Sequence, residues 1–168
     1  QSPLAEVHLF DIPEQHDAER DLAALALYGR AQDMAWPGLT LADANTEVQL
    51  ELSGLPDDVR NWNDPMLLPA LQQAGAVLKV ISVQATDAEA MLDAAGELRL
   101  DAQGAPEGQI AITSTGVAER VGPLIEEPWR TLVLGAPAAD GSHTNRLNFT
   151  SGAVFSGLVP VAPLPRLF

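Results

Sequence analysis

The three histidines are the side chains in this sequence best suited to acid–base chemistry or metal binding at neutral pH. They stand at positions 8, 16 and 143. None has a second histidine, or a carboxylate on the same predicted face, at the spacing of metal ligands. We therefore predict structural or surface roles for His8, His16 and His143, with no metal site and no cofactor.

Two pairs of adjacent carboxylates, Asp57-Asp58 and Glu126-Glu127, are the next candidates for chemistry. Neighbouring side chains on a helix point about 100° apart, so neither pair converges as a general acid and general base would. Helix capping and a solvated face explain both pairs equally well.

The remaining catalytic patterns are missing from the sequence. No serine stands in a Gly-x-Ser-x-Gly elbow, no glycine-rich phosphate loop occurs, and there is no cysteine. Asp101 with Gly104, and Asp140 with Gly141, match turns better than calcium loops, because alternating oxygen ligands are lacking. The sequence therefore predicts no catalytic residue and a protein that is not an enzyme.

Composition limits the partners. The 168 residues carry a net charge of −14, which repels phosphate backbones and argues against nucleic-acid binding. No apolar run reaches the length of about 18 residues that a transmembrane helix needs. With 46% hydrophobic but only 5% aromatic residues, the chain can bury a core of Ala, Leu, Val and Ile. We predict a single domain over residues 1–168.

A β-hairpin between residues 97 and 113 organises the rest of the chain. Charged and apolar residues alternate before and after a turn that contains Gly104, Pro106 and Gly108. A second alternating stretch, residues 46–53, is the clearest single strand. Together they predict a half-buried antiparallel sheet with one apolar face, formed by Val48, Leu50, Leu52, Leu98, Leu100, Ile110 and Ile112.

Three other segments complete the predicted fold. Residues 17–34 are compatible with either a helix or a strand, because they are Ala-rich but also contain the run Leu25 to Arg30. Residues 56–75 are predicted to be helical in pieces and to end at Gly75. Val117, Val121, Leu124 and Ile125 have the spacing of an amphipathic helix, kinked by Pro123, that would lie on the apolar face.

Residues 77–83 are apolar at most positions, and we interpret them as a central strand covered on two sides. The C-terminal tail is apolar and rich in proline, so it should run as an extended edge segment or strap. Its Pro160, Pro163, Pro165 and Phe168 are candidate partner-docking residues. The fold class is thus α+β and β-rich: a curved antiparallel sheet of about six to eight strands, with one to three short helices on its apolar face.

Two stretches carry a resemblance to a known family. Gly96–Ile110 and Leu147–Val161, with shorter elements at Trp36–Leu39 and Leu52–Pro56, resemble the bacterial family DUF2125, loosely similar to AsmA-like envelope proteins. The resemblance covers about Tyr28 to Phe168. It implies an exported, periplasmic or envelope-associated protein, the C-terminal part of a longer precursor, and it favours the strand for Leu25 to Arg30. It brings no catalytic residues.

Two functions remain open. The chain could be a non-catalytic interaction or scaffold module, in which the apolar face is core and the tail docks a protein partner in the envelope. Alternatively, the apolar face could hold a lipid or another apolar ligand in the periplasm. Because apolar faces are normally core, the residues favour the interaction module. An apolar cavity of roughly 300 Å³ or more, without a helix over it, would favour the ligand-binding module.

Overall fold

The structure, a computed structural model, describes residues 4–36, 41–121 and 127–168. These residues form nine strands and three α-helices. The strands are β1 (Ala5–Asp11), β2 (Leu22–Trp36), β3 (Leu41–Pro56), β4 (Val77–Thr86), β5 (Met91–Leu100), β6 (Pro106–Thr115), β7 (Ser142–Thr150), β8 (Ala153–Ser156) and β9 (Val159–Pro163). The helices are α1 (Leu67–Ala74), α2 (Val117–Val121) and α3 (Trp129–Leu134).

The nine strands form one open, curved antiparallel sheet in which spatial order follows chain order. Every strand therefore pairs with its neighbour in sequence. Helix α1 lies in the β3–β4 connection, and α2 and α3 lie in the β6–β7 connection. Since alternate connections of such a meander fall at opposite ends of the sheet, we name these ends the α1 end and the α2–α3 end.

The segment that could have been helix or strand, residues 17–34, is mainly the strand β2. Its Ala-rich sequence favours a helix locally, but both of its edges are paired, with β1 through Leu27 opposite Leu9 and with β3 through Leu27 opposite Leu50. Main-chain hydrogen bonding to a strand on each side outweighs the small intrinsic preference of alanine for helix over strand. The strand predicted from the family resemblance is therefore confirmed.

Strand β4 is a central strand between β3 and β5, as predicted, but none of its residues is fully buried, so it is not covered on two sides. Its apolar residues lie mainly on one face, and Val77 lies on the other, opposite Arg99. Leu50 lies opposite Val80, but the preceding Gln49 lies opposite Ser82, which leaves Ile81 as an extra residue. This β-bulge shifts the alternation by one position. Leu78 and Val80 before the bulge and Val83 after it consequently share a face.

The helical predictions were confirmed in part. Residues 56–75 contain a 3-10 turn at Val59–Asn63 and then α1, which ends at Gly75 in the left-handed conformation (φ 72°). Helix α2 begins at Val117 as predicted, but Pro123, Leu124 and Ile125 lie outside the described residues. The predicted fold class is confirmed, since the structure is β-rich with one curved antiparallel sheet and short helices. The sheet has nine strands, where about six to eight were expected.

Buried side chains are few among those described, and most of them are small. They are chiefly alanines, such as Ala24 and Ala105, together with Leu55, Leu134 and Val154. A single sheet without a second layer buries each face only where a helix or the tail crosses it. The larger apolar side chains of the sheet therefore stay partly in contact with water.

Candidate functional site

All seven residues of the predicted apolar face lie on one side of the sheet. Residues directly opposite each other in an antiparallel pair project to the same face, so the register traces rows across the strands. One row joins Leu52, Leu78 and Leu98. A second joins Leu50, Val80, Gly96 and Ile110, and a third joins Val48, Val83, Ala94 and Ile112. Leu100 follows two residues after Leu98 on the same side.

The rows continue beyond the strands that the sequence had identified. Toward one edge they reach Leu25 and Leu27 of β2 and Leu9 of β1. Toward the other edge they reach Leu147 and Phe149 of β7. Sequence reasoning missed Leu25 and Leu27 because residues 17–34 were compatible with helix or strand. It missed Leu9, Leu147 and Phe149 because the register of β1 and β7 against their neighbours is not visible in a local pattern. We call the whole surface the apolar face.

The apolar face is half-buried. None of Val48, Leu50, Leu52, Leu98, Leu100, Ile110 and Ile112 is fully buried, and none is fully exposed. A covered core would bury side chains of this type almost completely. These seven residues are therefore less buried than the side chains of a fully covered core, and adjacent strands and side chains shield part of each one.

Helix α3 covers the apolar face near the α2–α3 end. Asn145 of β7 lies opposite Ile112, so its side chain projects from the apolar face. Its Nδ2 atom donates hydrogen bonds to the carbonyl oxygens of Leu132 and Val133, both at 2.8 Å, and contacts Ser156 Oγ at 3.1 Å. These bonds satisfy carbonyls in the last turn of α3, which have no partner within the helix. The predicted placement of a short helix on this face is thus confirmed, although by α3.

The proline-rich tail forms both an edge strand and a strap. Pro160 and Pro163 belong to β9, the outer strand beside β8. Beyond β9, Leu164 N donates to Gly152 O and Leu167 N donates to Gly104 O at 3.0 Å, so the tail returns to the β5–β6 turn. The candidate docking residues Pro160, Pro163, Pro165 and Phe168 are all exposed. Their docking role stays a prediction.

The opposite face of the sheet is polar and carries a shallow open depression of about 520 Å³. Glu97, Arg99 and Gln109 line it together with Glu107 and Asn148, and Leu98 and Phe149 reach its wall. Arg99 and Glu107 form an ion pair across the β5–β6 hairpin at 3.0 Å. This mixed and charged lining differs from the largely apolar, enclosed pocket that holds small apolar ligands.

The residues considered first for chemistry are dispersed. His8 is on β1 and His143 is on β7, with five strands between them, and His16 bonds Asp11 at 2.7 Å. Asp58 binds Arg60, and Glu127 binds Arg130 and Thr131. Asp58 therefore caps a 3-10 turn, and Glu127 stabilises the first turn of α3.

One juxtaposition was invisible in the sequence: Ser114 of β6 lies opposite His143 of β7. The pair could suggest a nucleophile with its base. However, neither Ser114 Oγ nor His143 Nδ1 has a hydrogen-bond partner among the described residues, and Ser114 is 0% exposed. A serine that neither forms a hydrogen bond with the imidazole nor reaches solvent cannot attack a substrate in this structure.

Two features are absent from the residues that the structure describes. No group of three or more histidine, aspartate or glutamate side chains in this part of the chain is arranged to bind a metal ion. Within the same ranges, no helix has both the length and the apolar character needed to span a membrane.

Fold and surface together define an open antiparallel meander sheet with one apolar and one polar face. The chain belongs to the family described as "Uncharacterized protein conserved in bacteria (DUF2125)", whose model matches residues 4–165. The match begins well upstream of Tyr28, so β1 and the first half of β2 are part of the family pattern. Neither the curated proteins nor the solved structures include a match to this chain.

Proposed function

We propose that this chain is a non-catalytic interaction module of the bacterial cell envelope and that its apolar face binds a protein partner. The observation that carries the proposal is the half-buried state of Val48, Leu50, Leu52, Leu98, Leu100, Ile110 and Ile112 in continuous rows across the sheet. Extended apolar surfaces that stay in contact with water are characteristic of protein interaction sites.

The shape of the surface supports a protein partner over a small apolar ligand. The rows extend from β1 to β7, and the covering helix α3 lies toward one end. A broad sheet face matches another protein surface in size, whereas a small ligand is usually held in a concave pocket that removes most of its surface from water. The depression of about 520 Å³ is open and has charged walls, which gives the ligand-binding alternative no support.

The absence of catalysis and the envelope location are parts of the proposal. The absence of catalysis is supported by the acidic side chains Asp58, Asp87 and Glu127, which stabilise turns and form ion pairs. The second is adopted from the family resemblance, which implies an exported protein. The family model itself adds that the family is bacterial.

A crosslinking experiment in the envelope of the parent bacterium tests the proposal. A photo-crosslinking amino acid replaces Leu50 on the apolar face, and the control replaces the neighbouring Gln49 on the polar face. We expect one reproducible protein adduct from position 50 and none from position 49. Adducts to lipid alone would replace the proposal with lipid binding, and no adduct at either position would contradict it.

The affinity of this chain for the captured partner, measured with both proteins purified, makes the test quantitative. Leu50→Glu places a charge within the proposed interface, and Gln49→Glu places the same charge on the other face. We expect Leu50→Glu to weaken binding by about a hundredfold, because an unpaired carboxylate would have to be desolvated, and Gln49→Glu to change it by less than about threefold. Equal effects of the two substitutions would show that the partner binds elsewhere.

A further inference from the structure

Strand β1 is an outer strand of the sheet with unusual exposure of apolar side chains. Within the described residues β2 is its sole neighbour in the sheet order. All seven residues of β1 are exposed, including Val7 at 69% and Leu9 at 63%. The two side chains belong to the apolar face, since Leu9 lies opposite Leu27 and Val7 opposite Gly29.

The outer edge of β1 also presents main-chain hydrogen-bonding groups. Gln32 N donates to Leu4 O, and Ile12 N donates to Ala24 O. The main-chain N–H and C=O groups of Leu4 and Ile12, on either side of β1, therefore point toward β2. In an antiparallel pair the direction of the N–H and C=O groups alternates from one residue to the next. Ala5, Val7, Leu9 and Asp11 therefore direct their N–H and C=O groups away from the sheet.

The two outer strands differ in how they resist further pairing. Strand β9 contains Pro160 and Pro163, which lack an N–H group, and its register with β8 contains an irregularity. Strand β1 contains neither proline nor lysine, and its register with β2 is regular throughout. Proline, lysine and bulges protect many exposed edges, and β1 has none of them. Its acidic residues are Glu6 and Asp11, so the edge between these two is available to another strand.

We propose that β1 pairs antiparallel with β1 of a second copy of this chain, with the two-fold axis at His8. In this register Val7 lies opposite Leu9 of the second copy, and Ala5 lies opposite Asp11. These are the residues whose main-chain groups point outward, so each such pair exchanges two hydrogen bonds. The two-fold axis is perpendicular to the sheet, which places both apolar faces on the same side.

The side chains of β1 are complementary to themselves in this register. Glu6 lies opposite Phe10 of the second copy and diagonal to His8, so no carboxylate faces another carboxylate. This matters because each copy carries a net charge of −14. The pairing concerns the sheet edge, and it therefore stands or fails independently of the protein-binding role of the apolar face.

Sedimentation at about 0.15 M salt, over protein concentrations from about 1 μM to about 500 μM, tests the dimer. Val7→Lys introduces a charge at the β1 edge, and Val159→Lys introduces the same charge on the outer strand β9. We expect the wild type and Val159→Lys to double in mass with rising concentration, and Val7→Lys to need at least about tenfold more protein. A wild type that stays monomeric throughout, or equal effects of both substitutions, would overturn the proposal.

The register is tested with single cysteines, because the chain has none of its own. At His8 the two strands would form a non-hydrogen-bonded pair with Cα atoms about 4.5 Å apart, a distance that a disulfide can bridge. At Glu6 the two copies would lie about 13 Å apart along the strand. We expect His8→Cys to form a covalent dimer under mild oxidation and Glu6→Cys to remain monomeric on non-reducing gels. Equal crosslinking of both variants would overturn the register.

Discussion

Several aspartates use one carboxylate oxygen to stabilise a turn between strands. Asp87 Oδ1 accepts hydrogen bonds from the N–H groups of Glu89 and Ala90, both at 2.8 Å. Asp101 does the same for Gln103 and Ala105 at the β5–β6 turn. Such Asx-type turns account for acidic residues that the sequence alone could have offered as metal or proton ligands. The prediction that Asp101 and Gly104 form a turn is confirmed.

Asp87 has an additional role, because it also binds helix α2. Its carboxylate forms an ion pair with Arg120 at 2.8 Å, and the Asp87 side chain is only 2% exposed. The N–H of Glu89 is the main cause that lowers the pKa of Asp87, with help from the N–H of Ala90 and the charge of Arg120, against the opposing effect of burial. The ionised carboxylate thus ties the β4–β5 turn to the β6–β7 connection.

We predict that Asp87→Asn lowers the thermal unfolding midpoint at pH 7 by several degrees. We also predict that the midpoint of Asp87→Asn falls less than that of the wild type when the pH is lowered. Because the folded-state pKa is below the unfolded value, this carboxylate stabilises the fold above about pH 4, and the stabilisation is lost as the pH falls through the folded-state pKa. Thermal unfolding between pH 7 and pH 3 measures both effects.

The control for this prediction is Asp58→Asn, since the Asp58–Arg60 pair is on the surface and contributes little. Equal midpoints of wild type and Asp87→Asn at pH 7 would contradict a stabilising role for the ionised carboxylate.

At the scale of elements, helix α3 is a short helix that depends on side-chain contacts with the sheet. It has six residues, too few to be stable alone, so its position depends on tertiary contacts. Asn145 supplies two of these by donating to carbonyl oxygens of Leu132 and Val133. Leu134 of α3 is also buried, so the amide of Asn145 and apolar packing together hold α3 on the apolar face.

We expect Asn145→Leu to destabilise the fold by about 1–3 kcal/mol, because it removes the donors for two helix carbonyls. The loss should be local at first, with faster amide hydrogen exchange in α3 than in the wild type. Asn148→Leu, three residues along the same strand but on the polar face, should cost less than about 0.5 kcal/mol. Unchanged exchange in α3 of Asn145→Leu would show that other contacts hold the helix.

The central hairpin could be predicted from sequence because its signals are local. Residues 97–113 alternate around a turn of Gly and Pro, and the structure pairs Glu97 with Gln109, so both project from the polar face as the alternation predicts. The strand β3 and the end of α1 at Gly75 followed from equally local patterns. The seven apolar positions could be placed on one face for the same reason.

The remaining elements depend on contacts that no local pattern contains. Strand β2 has Ala-rich composition and is extended because β1 and β3 pair with it. The bulge at Ile81 moves the apolar alternation of β4 by one residue, which looked like a strand covered on both sides. Ser114 and His143 became neighbours through the pairing of β6 with β7, although a long connection separates them in the chain.

At the scale of the whole molecule, the sheet differs from a conventional domain in having one main layer. Packed domains usually bury a sheet face against a second layer, whereas here only short helices pack on the sheet, with α1 against β3 and β5 and α3 against β7. The acidic composition keeps such a molecule dispersed in water despite its half-buried apolar rows. The proposed partner would supply the missing layer, and edge pairing through β1 would extend the same face across two copies.

The accessibility of Ile110 compared with Gln109 tests this account most directly. Single cysteines at these adjacent positions of β6 place one thiol on the apolar face and one on the polar face, in a chain without other cysteines. Thiol labelling is measured in the isolated protein and in the envelope of the parent bacterium. We predict that Ile110→Cys reacts readily when isolated but at least about tenfold more slowly in the envelope, whereas Gln109→Cys reacts alike in both. An Ile110→Cys thiol that is inert in the isolated protein, or equally reactive in both settings, would contradict the account.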